Sequence, residues 1–331
     1  MKAGNLAALL QAFFADRLVA QRHASPHTVA GYRDCFRLLL RFAAQRFHKE
    51  PSKLALEDLD APFVGAFLGH LEAERHNGAR TRNVRLAAIH SFFRYVALSE
   101  PAHALLCQRV LAIPSKRHDR APVVYLDQDE VEALIAAPDL ATRIGRRDRA
   151  LLLVAAQTGL RVSELRALHW GDVELGNGAH VQCLGKGRKQ RCTPLRRDSV
   201  AVLRAWRREA GNAPESPVFP SARGGVLSRD AIEMIVARNA ENASRCCPSL
   251  KQKKVTPHTL RHSAAMSLLQ HGVDRSVIAL WLGHESVETT QMYLHADVRM
   301  KERALARTDP FTTKPGRFRP RDDLLTFLEA L

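Results

Sequence analysis

The sequence predicts a mainly α-helical chain with one small β-sheet, an α+β fold in two parts, and three observations carry that prediction. Apolar residues recur at three- and four-residue spacing through most of the 331 positions, the period of helices packed along one face. One stretch, residues 179–195, alternates instead and holds Gly185, Lys186 and Gly187 near its middle, the pattern of strand, turn and strand. Between Pro114 and Pro122 the helical pattern stops in a polar, basic run that divides the chain.

Residues 1–112 read as the first, helical part. Leu6, Leu9, Leu10, Phe13 and Phe14 suit one amphipathic helix, and Ser25-Pro26 opens a second whose buried face is Tyr32, Phe36, Leu39, Leu40 and Phe42. A third covers about 59–74. A fourth, about 81–98, sets Leu86, Ile89, Phe92, Phe93 and Val96 against the cations Arg82, Arg85 and Arg94. That cationic face meets either water or phosphate. Residues 113–125, with Lys116 and Arg117, read as an extended linker that could lie against DNA. The second part, residues 126–310, opens on Asp127 as the cap of a helix and continues with a buried helix at about 147–158 stopped by Gly159. The hairpin follows, with Cys183 and Cys192 expected to face each other across it. Helices are then expected at about 198–208 and 228–243, and another starts at Thr256-Pro257. A tail, 311–331, ends in a short stripe of Leu324, Phe327, Leu328 and Leu331. Such a stripe wants a groove, on its own chain or on a neighbouring protomer.

The charge balance narrows the partners. Fifty Lys and Arg against thirty-four Asp and Glu leave a net charge of +16, which argues for a polyanion, nucleic acid first among them. Arginine dominates the excess, and its planar fork suits phosphate oxygens. No apolar run reaches the ~18–20 residues of a membrane span and no signal-peptide pattern opens the chain, so a cytoplasmic protein is expected. The six cysteines form no CxxC pair, so free thiols are expected rather than a zinc site.

The chemistry-bearing residues gather in the second part. Arg161 follows the Gly159 turn, with Glu164 three residues on where a carboxylate could orient it. Lys186 sits between two glycines at a hairpin tip, free to reach into a ligand. His258 and Arg261 share a face at the start of one helix. His284 follows Gly283 at the end of a short helix, and Tyr293 lies nine residues beyond. Taken singly, each reads more readily as a surface or packing residue than as a catalytic one.

Together, Thr158-Gly159-Leu160-Arg161-Val162-Ser163-Glu164-Leu165, His258-Thr259-Leu260-Arg261-His262-Ser263 and Leu282-Gly283-His284-Glu285-Ser286, followed by Tyr293, resemble the tyrosine recombinase, or phage integrase, family over about 126–300. The N-terminal part is similar to the family's core-binding domain. The resemblance implies site-specific DNA strand exchange, with a mobile element as the expected setting. Tyr293 would be the nucleophile and His258 the proton acceptor. Arg161, Arg261 and His284 would hold the phosphate, Lys186 would protonate the leaving oxygen, and Glu164 would orient Arg161. It implies no metal and no cofactor, double-stranded DNA with a specific site as substrate, accessory proteins in some systems, and a tetramer on DNA. A type IB-like topoisomerase and a non-catalytic architectural protein are the competing expectations.

Overall fold

A computed structural model of the chain describes residues 6–118, 122–184 and 190–283. The chain divides between Arg120 and Ala121 into two compact units. The expected tail at 311–331, with its docking stripe, lies outside the described residues. No helix among the described residues is long and apolar enough to cross a membrane.

The first unit is helical. α1 (Leu6–Ala12) runs on as a π-helical segment, Phe13–Gln21. This drives Phe13 into the centre of the unit, fully buried, with its ring 5.5–6.3 Å from those of Tyr32, Phe36, Phe92 and Tyr95. α2 (Pro26–Phe47) begins where Ser25 predicts, its Oγ accepting from the Thr28 N–H at 3.2 Å. α3 (Ala61–Ala73) opens on Asp60, whose carboxylate accepts from the Phe63 N–H at 2.8 Å. α4 (Ala79–Ser99) buries Leu86, Ile89, Phe92, Phe93 and Val96, the expected stripe. A further helix that the pattern did not single out, α5 (Ala104–Leu111), buries Cys107 and Val110. Eight residues with only two buried positions give too short a period to read.

Two expectations in this unit change. Arg82 does not join a cationic outer face. It is buried, and its Nη1 donates to the Pro114 carbonyl and to Asn83 Oδ1, both at 3.2 Å. The segment read as linker is also fixed as far as Lys116. The Asn83 amide donates to the Lys116 carbonyl at 2.8 Å and accepts from its N–H at 3.0 Å, and the Lys116 ammonium sits 2.8 Å from Glu72. A buried guanidinium needs acceptors, and the chain folding back along α4 supplies them. Arg85 is half-buried, while Arg94 and Arg117 are exposed.

The second unit builds its core from α6 (Gln128–Ala136), α7 (Arg143–Thr158), the short α8 (Val162–Arg166), α9 (Arg197–Ala210), α10 (Arg229–Ala243) and α11 (Pro257–Gln270). α12 (Arg275–Leu282) covers α11 through Ile278 and Leu282. α6 opens with a reciprocal cap: Asp127 accepts from the Glu130 N–H at 3.0 Å and Glu130 from the Asp127 N–H at 2.9 Å. α7 starts a turn earlier than the apolar run. Thr142 caps it by accepting from the Gly145 N–H at 2.9 Å, and Gly145 fits because any Cβ there would lie 1.8 Å from the Asp139 carbonyl oxygen.

A three-stranded antiparallel sheet, in the order β1 (Val173–Glu174), β2 (His180–Leu184), β3 (Gln190–Pro194), flanks this core. β1 is two residues long and carries no readable alternation. The register pairs Val181 with Thr193, Gln182 with Cys192, and Cys183 with Arg191. The two cysteines are therefore not opposite one another. Cys183 is buried and Cys192 exposed, because neighbouring register positions point to opposite faces. The inner face holds Val181, Cys183, Thr193 and, unexpectedly for a cation, Arg191.

Candidate active site

Three turns of chain assemble the site. Gly159 ends α7 in the left-handed conformation (φ 62°), where a Cβ would meet Leu282 Cδ2 at 2.7 Å. This close approach lets the turn before α8 lie against the end of α12. Arg161 then takes the position that precedes α8, and Glu164, three residues on, folds back over it. Glu164 Oε2 accepts from the Arg161 N–H at 2.8 Å, and Oε1 from Arg161 Nη1 at 2.9 Å. The carboxylate thus holds both the backbone and the guanidinium of Arg161.

Arg261 is the fifth residue of α11, which Thr256 caps by accepting from the Thr259 N–H at 3.1 Å with Pro257 at the first helical position. Its side chain is buried. Nη1 donates to the Gly159 carbonyl and Nη2 to the Leu282 carbonyl, each at 2.7 Å. Arg161 Nη2 donates to the next carbonyl along, that of Gly283, at 2.9 Å. Two guanidiniums distant in sequence are therefore bound to consecutive peptides, in the turn immediately before His284. About a third of the Arg161 side chain (32%) stays open to solvent, whereas Glu164 keeps 4%.

A third guanidinium completes the cluster. Arg191, from the inner face of β3, grips Glu164 with both tines: Nη2 to Oε2 at 2.7 Å and Nη1 to Oε1 at 3.1 Å. Each carboxylate oxygen then accepts two N–H groups, which fills its lone-pair positions. Burial alone would raise the Glu164 pKa. The Arg161 N–H and the two guanidiniums outweigh burial and hold the carboxyl below its ordinary range. Three guanidiniums against one carboxylate leave the cluster positive, an environment for an anion. His258 is exposed at the start of α11, its ring 4.1 Å from that of buried His262.

Sequence reasoning expected Arg161, Glu164, His258 and Arg261 here, and the structure gathers the two arginines and the glutamate directly. Lys186, His284 and Tyr293 lie outside the described residues. Arg191 was missed. The signal for it was the alternation that turns buried Thr193 inward, which must also turn Arg191 inward.

The phage integrase family matches residues 124–300, and the phage integrase N-terminal SAM-like domain matches residues 10–99. The chain belongs to the phage integrase family. It is a tyrosine-type site-specific DNA recombinase. Among its relatives, a Sinorhizobium fredii protein named as an integrase/recombinase, y4rC, is 54% identical over 330 residues, covering 100% of this chain and 99% of the relative. The tyrosine recombinase XerC of Xanthomonas axonopodis pv. citri is 36% identical over 86% of this chain and 91% of its own. The fold matches the XerH site-specific recombinase bound to difH in a post-cleavage complex (TM-score 0.69, 22% identity, 86% of this chain and 81% of that one). It also matches the Tn1549 transposon integrase with circular-intermediate DNA (TM-score 0.67, 14% identity, 91% and 99%).

In this recombinase Gly283 is fixed twice over. Its φ is 64°, and a Cβ would lie 2.3 Å from Arg191 Nη1, which Glu164 holds in place. Gly283→Ala is expected to lower stability by about 1–3 kcal/mol through backbone strain alone, read as a shift in the urea unfolding midpoint. An unchanged midpoint would show that the turn relaxes without loss.

Proposed function

We propose that the recombinase breaks and rejoins DNA at a specific site of a mobile element, with Tyr293 as nucleophile. The residues 1–112 and 126–310 serve as the DNA-gripping and catalytic halves. The Tyr293 oxygen attacks the scissile phosphorus, the bond to the 5′-oxygen breaks, and a 3′-phosphotyrosyl link remains. The tyrosine proton passes to His258, since a phenol of pKa ~10 is otherwise protonated at neutral pH. Lys186 gives a proton to the departing 5′-oxygen. Arg161, Arg261 and His284 hold the non-bridging oxygens, where charge grows as the phosphorus becomes pentacoordinate. A second 5′-hydroxyl reverses the attack and joins the strands in a new pairing.

The observation that carries this reading is the binding of Arg161 and Arg261 to the consecutive carbonyls of Leu282 and Gly283, with one carboxylate among three guanidiniums. That arrangement offers a preformed grip for one phosphate. The mobile-element setting is supported by the relative named as an integrase/recombinase and by the likeness to a transposon integrase. A tetramer on DNA is supported by the fold likeness to a lambda integrase tetramer bound to a Holliday junction (TM-score 0.60, 18% identity). In the first half, exposed Arg94 and Arg117 and half-buried Arg85 are the phosphate contacts we favour. Lys116 joins them only by leaving Glu72, and Arg82 serves to hold the chain at Pro114.

The test is a nicked suicide substrate carrying the element's own flanking sequence, followed by denaturing electrophoresis and peptide mapping. A covalent adduct at Tyr293, absent in Tyr293→Phe, is expected. Tight binding without an adduct would favour an architectural role.

A further inference from the structure

We infer that Arg191 is a positioning residue for strand cleavage, acting through Glu164 on Arg161; the inference rests on the reading of Arg161 as a phosphate-holding residue.

The argument starts from what Arg161 lacks by itself. It stands at the head of the five-residue α8, with a third of its side chain in water, and among the described residues two groups fix its guanidinium: Glu164 Oε1 and the Gly283 carbonyl. Both of these groups depend on Arg191. The Glu164 carboxylate has several rotamers open to it, and without Arg191 the Arg161 N–H would be its one anchored donor, since Arg161 Nη1 is the group to be positioned. Arg191 grips both of its oxygens in the parallel, two-point manner that fixes a carboxylate plane. With that plane set, Oε1 faces Arg161 Nη1 while Oε2 faces the Arg161 N–H. On its other side Arg191 fills the space under Gly283. A Cβ on Gly283 would meet its Nη1, Cζ and Cδ at 2.3, 3.2 and 3.3 Å. The guanidinium therefore also supports the peptide whose carbonyl receives Arg161 Nη2.

Arg191 differs from Arg161 and Arg261 in what it holds: both of its terminal nitrogens go to the Glu164 carboxylate, whereas each of the other two reaches a carbonyl of the turn before His284. Its side chain is 10% exposed, and its buried Nε finds no partner among the described residues. A solvated surface pair would be worth little. Here a cation has been taken into a sheet's inner face beside Cys183 and Thr193, opposite what strand packing favours. The geometry assigns it the task of fixing Glu164 and the Gly283 turn against each other, so that Arg161 has one orientation before phosphate arrives.

The experiment measures single-turnover adduct formation on the nicked suicide substrate, with DNA affinity and melting temperature recorded in parallel. Arg191→Met is expected to slow adduct formation about 100-fold, the size of effect that a small misplacement of a reacting group produces. DNA affinity should be unchanged. Arg191→Lys, which keeps the charge and loses the fork, should recover part of the rate and reads the same effect if the Met variant melts below the assay temperature. A merely structural role would not predict the decisive arm: with Arg161→Ala already present, Arg191→Met should cost no further rate. Rates equal to the unsubstituted chain in both single variants, or a full additional loss on top of Arg161→Ala, would overturn the inference. If the unsubstituted chain forms no Tyr293 adduct, the nucleophile reading fails and this inference falls with it; a normal adduct rate in Arg191→Met sinks only the latter.

Discussion

Arg261→Met is expected to lower single-turnover strand cleavage by about 10²–10³-fold, the cost of removing one preorganised donor from a developing oxyanion. It should also destabilise the catalytic unit by about 2–4 kcal/mol, because two buried carbonyls, those of Gly159 and Leu282, lose their donor together. The two effects are separable, since cleavage is measured well below the melting temperature and stability by urea unfolding. Arg261→Lys should rescue neither fully. An ammonium can reach one of the two carbonyls, but only the planar fork spans both at 2.7 Å. A lysine variant that cleaves at the unsubstituted rate would mean that Arg261 acts as a diffuse charge and that its bridging geometry is incidental.

Glu164→Gln should destabilise this unit strongly. The buried carboxylate balances two guanidiniums, one of them nearly enclosed, and removing one partner of a buried pair costs about 3–5 kcal/mol. The glutamine amide would also turn an N–H donor toward arginines that already donate. The pH dependence follows from the direction of the shift. The folded carboxyl titrates below its ordinary 4.5, so its stabilisation is complete above that value and is lost as pH falls through the lower, folded one. Unfolding curves of the two proteins should therefore lie furthest apart near neutrality and converge in acid. A constant separation across that range would mean that the carboxylate's charge contributes nothing.

Much of the fold was legible in the sequence because its cues are local. Ser25, Asp127, Ser228 and Thr256 each accept from an N–H two or three residues into their helices, and a cap of that kind declares itself without any tertiary knowledge. Gly159 and Gly283 stop helices in the left-handed conformation for the same reason. What the sequence concealed was decided by pairing at a distance. Arg82 looked like one more cation on the outer face of a helix until Pro114, thirty-two residues on, returned its carbonyl to it. Cys183 and Cys192 looked opposed until the register moved them one position apart. In the site itself, Glu164 beside Arg161 was readable from a spacing of three. Arg191 was not, since its partner lies twenty-seven residues away and across a strand. The alternation of β3 was the one available hint, and it required taking a buried arginine seriously.

The doubled hydrogen bond between Asn83 and the Lys116 backbone fixes one end of a leash. The other end is made fast where Val123 and Tyr125 pack beside α11 and α12 and the Leu126 N–H donates to Ser263 at 2.8 Å. Between Lys116 and Val123 only seven steps of chain remain, at most about 25 Å when fully extended. Each unit therefore ties down the chain on its own side of the boundary, and either attachment can be loosened by itself, at Asn83 or at Ser263.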